Sequence, residues 1–133
     1  VLATAGNAGI QSSAIAVQGL SSGDIWASDI KTRLIKEFSV AILNGIVSSA
    51  VLGGAILLYG AFFDIHGPVQ LAYTAAIALL IVIVLATTIG AMTPLFLDKF
   101  GIDPALATGP FITTSNDILG ILVFFLLADW LYL

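Results

Sequence analysis

Apolar residues along this chain come in long runs, separated by short polar stretches. A bilayer's hydrocarbon core is about 30 Å thick and takes roughly 20 helical residues to cross. Four segments suit that length. The first, about residues 1–20, is unusually polar and glycine-rich. The second, about 38–62, reads "FSVAILNGIVSSAVLGGAILLYGAF", and the third, about 69–97, contains "AAIALLIVIVLA". The fourth covers about 104–128 and opens with Asp103-Pro104, a capping residue followed by proline at the first helical position. The pattern predicts an all-α, polytopic membrane helical bundle of four transmembrane helices with short connections.

Composition agrees. The 133 residues are 59% hydrophobic and only 9% charged, where a soluble domain carries about 25% charged residues. The net charge of -4 is therefore no guide to soluble partners, and nothing points to nucleic acid. The partner implied is the lipid bilayer. Cysteine is absent, which excludes a disulfide framework and thiolate metal sites. Val1 is not a start methionine, and the first twenty residues lack the basic leader and cleavage site of a signal peptide. The chain is expected to be the interior of a larger protein.

The charges orient the bundle. All four basic residues, Lys31, Arg33, Lys36 and Lys99, fall in or beside the first and third connections. Alternating spans put those connections on one side, and the positive-inside rule makes that side cytoplasmic. Trp26, Tyr59, Tyr73, Trp130 and Tyr132 then read as interfacial anchors. Ala41, Gly45, Ser49 and Gly53 recur every fourth residue, a stripe that lets another helix approach closely.

Candidate chemistry lies in the polar run Thr113, Thr114, Ser115, Asn116, Asp117. On a helix that starts at Pro104, Asp117 lies about 20 Å along the axis, near mid-membrane. An ionised Asp there costs roughly 2.5–3.5 kcal/mol on insertion scales. It needs protein or water around it and a partner, and no Lys or Arg lies at that depth. Thr113 shares its face, with Thr114 and Gly120 three residues away. Gly109 and Pro110 lie two turns earlier, where a mid-helix proline would free a carbonyl near Leu106. Carboxylate, hydroxyl and carbonyl oxygens along a watery path suit hard cations such as magnesium or calcium. The plainer reading is an Asp hydrogen-bonded to hydroxyls within the bundle.

The first span repeats the theme with Gly6, Asn7, Gly9, Gln11, Ser12 and Ser13, and is expected against the last span. Interhelical hydrogen bonding is the alternative role for these residues. Asp103 reads as a helix cap, with a second role as an ion ligand at the cytoplasmic mouth. His66, the only histidine, stands in a short outer loop. Triads, multi-histidine metal sites and phosphate loops are all missing, so the chain does not read as an enzyme.

The segments "GNAGIQSSAIAVQGL", "KTRLIKEF" and "IGAMTPLFLDKFGIDPALATGPFITTSNDILG" closely resemble the MgtE magnesium-channel family across essentially the whole chain. The resemblance implies the last four of five transmembrane helices, within a homodimer of a bacterial inner membrane, and magnesium as the transported ion. It further implies a pore on the dimer axis, lined by residues 1–20 and 104–128. Asp117 matches the family's ion-binding carboxylate, and Asp103 an acidic position near the mouth used in gating. Gly6, Asn7, Gly9, Gln11, Gly109, Pro110, Thr113 and Thr114 are the expected pore-lining residues. Residues 41–53 join residues 1–20 as the expected dimer-forming surfaces. An ion-coupled magnesium exchanger of the related solute-carrier group is the runner-up function, and a non-transporting membrane assembly module a third.

Overall fold

The computed structural model describes residues 1–23, 30–107 and 109–133. Among these the chain is all-helical: α1 (Leu2–Ser22), α2 (Ile30–Phe62), α3 (Pro68–Lys99), a 3-10 turn (Pro104–Ala107) and α4 (Pro110–Leu131). Trp26 lies outside the described residues. The helices α2, α3 and α4 are long and apolar enough to cross a membrane. At 21 residues α1 has the length but is the most polar of the four. The chain is a multi-pass membrane protein.

α3 is the hub and packs against each of the other three helices. Its sequence explains why. Ala78, Val82, Ala86, Gly90 and Pro94 recur every fourth residue, and all are buried. A stripe this small lets neighbouring backbones approach closely, the main source of helix affinity where lipid removes the hydrophobic drive. The tightest approach is at Gly90, where an added Cβ would collide with the Gly9 carbonyl of α1. On α2, Ala41, Gly45 and Ser49 are buried, and a Cβ on Gly45 would stand 2.6 Å from Leu80 Cδ1. The α2 stripe is thus consumed within the chain against α3. That face of α2 is occupied within the chain, the packing role that its spacing predicted.

α2 and α3 run antiparallel. Residues 31–39 of α2 lie beside Thr88 and Met92, while residues 49–57 lie beside 69–76. This brings Lys31, Arg33, Lys36 and Lys99 to one end of the bundle. The expected basic connection is partly helical, because α2 begins at Ile30. Arg33 and Glu37, one turn apart, form an ion pair at 2.9 Å on that added segment, and such pairs support helix. With 33 residues α2 spans about 50 Å, more than the hydrocarbon core. At the opposite end, Gln70 Nε2 and Tyr73 Oη donate to the Leu131 carbonyl at 2.8 and 3.2 Å. Tyr132 Oη donates to the His66 carbonyl at 3.1 Å. Gln70, Tyr73 and Tyr132 thereby clasp the end of α4 to the start of α3 and the loop before it.

The fourth span is not one continuous helix from 104, and this corrects the sequence expectation. The 3-10 turn stops at Ala107, Gly109 adopts φ 61° and ψ −125°, and α4 starts at Pro110. The reason is local. Proline disfavours helical geometry at the preceding residue, and only glycine adopts that backbone conformation without strain. Asp103 caps the short turn rather than α4: its Oδ1 accepts from the Ala105 N–H at 3.0 Å.

The Gly9–Gly90 contact makes a stability prediction. Gly90→Ala drives a methyl into a backbone oxygen that cannot rotate away, and overpacking of this kind costs about 1–3 kcal/mol or more. Gly54→Ala, with nothing within 4 Å of the added Cβ, should be neutral or stabilise by about 0.5–1 kcal/mol. Unfolding midpoints in detergent compare the two; equal midpoints would contradict the packing.

Candidate cation site

Asp117 sits on the second turn of α4, about 10 Å from the helix start at Pro110. The face of α4 that packs inward is Ile112, Asn116 and Gly120, all buried and four residues apart. Asp117 lies one residue round from that stripe, which turns it toward α1. A Cβ built on Gly6 would stand 3.8 Å from Asp117 Oδ1. The carboxylate is half-buried and, among the described residues, has neither a hydrogen bond nor an ion pair. It is a carboxylate on a helix apolar enough to cross a membrane, without a basic partner among the described residues. No group of three or more acidic or histidine side chains close enough to hold a metal occurs among the described residues.

The neighbours expected around it divide. Thr113, one turn earlier, donates its hydroxyl to the Gly109 carbonyl at 3.0 Å. The same carbonyl accepts the Thr113 N–H, so Thr113 caps the break in the chain. Thr114 is exposed and Gly109 half-buried. Pro110 stands at the first position of α4, so it frees no carbonyl near Leu106; that expectation was tied to a continuous helix. The proline inside a helix is Pro94 of α3, whose missing N–H leaves the Gly90 carbonyl without its usual partner. Gly90 lies at the α1–α3 contact, and Pro94 is buried one turn beyond it.

On α1, Gly6 faces Asp117, but Gly9 does not line open space. It is covered by the Asn116 amide and by the Ala86 carbonyl, 2.9 Å from where its Cβ would be. This corrects the expectation of Gly9 as pore wall: its missing side chain serves packing. The exposed side of α1 carries Thr4, Asn7, Gln11 and Gln18, a surface ill-suited to hydrocarbon. Gln11 also borders a partly open cavity of about 80 Å³ between α1, α2 and α3, whose mixed lining includes Ser12, Glu37, Asn44 and Thr87 beside Ile15 and Val40. That volume admits ordered water. There the buried Ser12 hydroxyl donates to Glu37 Oε2 at 2.8 Å, and Arg33 holds Oε1.

Within the polar run, Asn116 is the residue turned into the bundle. It is 3% exposed, and neither its Oδ1 nor its Nδ2 has a hydrogen-bond partner. The signal was its spacing of four from Ile112 and Gly120, which marks the packing face of α4.

With this geometry in view, comparison with known proteins is informative. A family model described as MgtE, divalent cation transporter, matches residues 1–127. The chain belongs to the MgtE family. It is 37% identical over 129 residues to the magnesium transporter MgtE of Enterococcus faecalis, covering 97% of this chain and 27% of that protein. The Bacillus subtilis protein of the same name is 33% identical over 123 residues, covering 92% of this chain and 26% of that protein. The Thermus thermophilus one is 31% identical over 128 residues, with 96% and 27% covered. The chain thus spans about a quarter of the length of these MgtE relatives.

Asn116 yields a prediction. A buried, unpaired amide costs about 1–3 kcal/mol, and leucine has a similar shape. Asn116→Leu should raise the unfolding midpoint in detergent. A lowered midpoint would show that the amide is satisfied in the membrane protein.

Proposed function

We propose that the chain is the ion-conducting transmembrane part of a magnesium transporter. Two copies pack about an axis, and hydrated magnesium passes between their Asp117 carboxylates. One observation carries the reading: Asp117 is a half-buried carboxylate on a membrane-spanning helix, with no hydrogen-bond or ion-pair partner among the described residues. Its insertion cost of roughly 2.5–3.5 kcal/mol is offset when a cation stands beside it. The relatives are named magnesium transporters, which supports magnesium as the cargo.

Magnesium demands octahedral oxygen ligands at about 2.0–2.1 Å and gives up water reluctantly. One carboxylate per chain is no cage for a bare ion. Two carboxylates facing an aqueous axis can accept hydrogen bonds from the ion's own waters. Gly6 contributes by what it lacks, leaving the space beside Oδ1 open to those waters. Asn7, Gln11 and Thr114, exposed on α1 and α4, are further groups for the same water column. Gly109, Pro110 and Thr113 shape the entrance, and Asp103, exposed beyond the 3-10 turn, stands at the cytoplasmic mouth as an ion ligand. Calcium, larger and less strict in geometry, is bound more weakly.

Magnesium flux in liposomes tests the site. Asp117→Asn should fold and reduce flux to that of protein-free vesicles, and an inert trivalent hexammine complex should block the unmutated protein. Unchanged flux through Asp117→Asn, or no block, would overturn the reading. Unitary currents identify a channel, while strictly coupled counter-flux would identify the exchanger.

Dimerisation is tested separately. A cysteine at Asn7, on the polar exposed side of α1, should crosslink between chains, whereas one at Ser49, buried against α3, should not. A detergent particle of a single chain that retains flux would contradict the paired arrangement.

A further inference from the structure

Away from Asp117, an open groove of about 590 Å³ lies between the first turns of α2 and the C-terminal third of α3. Lys31, Leu34, Ile35 and Phe38 line one side, Thr88 and Met92 the other. From Lys31 to the groove's far end at Ser39 is about 12 Å along the helix. The wall offers nothing to water. Ser39 donates its hydroxyl to the Ile35 carbonyl at 2.8 Å, and Thr88 to the Val84 carbonyl at 2.7 Å. Glu37 borders the groove, but its two carboxylate oxygens are held by Ser12 and Arg33. Lys31, exposed at the membrane-surface end, is left with no ion pair among the described residues.

The groove therefore presents an exposed ammonium at the bilayer surface and a hydrocarbon wall leading inward. We propose that it binds an anionic phospholipid of the cytoplasmic leaflet, its phosphate on the Lys31 ammonium and an acyl chain against Leu34, Phe38 and Met92. Charge complementarity favours this occupant: basic grooves between helices on the cytoplasmic side attract anionic head groups. Another protein helix is disfavoured. Helices associate in membranes through small residues or interhelical hydrogen bonds, and this lining is bulky, with its hydroxyls bonded to their own helix. The site is independent of the ion path, since no lining residue belongs to the Asp117 neighbourhood.

A photoreactive residue at Ile35, in vesicles of equimolar phosphatidylcholine and phosphatidylglycerol, tests the proposal by mass analysis of the adducts. One lysine near an anionic head group gives roughly a five-fold preference, so phosphatidylglycerol adducts should exceed phosphatidylcholine adducts by about that factor. Lys31→Arg should keep the preference and Lys31→Gln should bring it near parity. Lys99→Gln, at the same end of the bundle but outside the groove, should leave it unchanged. Parity in the unmutated protein, an equal loss with Lys99→Gln, or adducts formed chiefly with a protein helix would each overturn it.

Discussion

The bundle is organised around the place where two backbones touch, Gly9 of α1 against Gly90 of α3. In lipid the apolar faces of helices gain little from one another, so close van der Waals approach must supply most of the association. Glycines at both positions bring α1 onto the surface of α3, and the third helix fits the notch. The Asn116 side chain of α4 rests on Gly9, and a Cβ on Gly120 would meet Leu2 and Val82. Pro94, one turn beyond Gly90, removes a hydrogen bond in the same region. Asp117 reaches Gly6 because this contact fixes how α4 sits on α1.

Asp117 itself depends on a second constraint, the break before α4. Gly109 turns the chain and Pro110 restarts the helix, so the carboxylate is two turns into α4 rather than deep within a longer helix. Thr113, which by sequence looked like a ligand, is drawn into closing that break. The polar groups near the break thus have structural duties, and Asp117 is left without a partner among the described residues. That contrast separates Asp117 from the neighbouring polar residues that serve packing.

The two ends of the bundle are held by different chemistry. At the basic end Arg33, Glu37 and Ser12 link α1 to α2 through charge and hydroxyl. At the opposite end, tyrosine and glutamine side chains clasp the α4 terminus by way of main-chain carbonyls. Neither clasp lies at the level of the Asp117 site. α2 and α4 leave most of their surfaces exposed, including Val40, Leu43, Val47, Phe125 and Leu126, as helices facing hydrocarbon do.

The all-helical class, the number of helices and the gathering of basic residues at one end were legible in the sequence. Each rests on a quantity that adds up along the chain, apolar length or charge placement. The α2 stripe was legible as packing for the same reason, since spacing of four defines a helix face. What the sequence left open was which faces meet. Gly6 and Gly9 look alike in the polar run of α1, yet one faces a carboxylate and the other is buried beneath an amide. Asn116 and Asp117 are neighbours in the chain, yet about 100° of helical rotation buries one and turns the other toward Gly6. Those assignments depend on the rotation of each helix about its axis, and contacts between helices, chiefly the glycine contact of α1 with α3, decide that rotation.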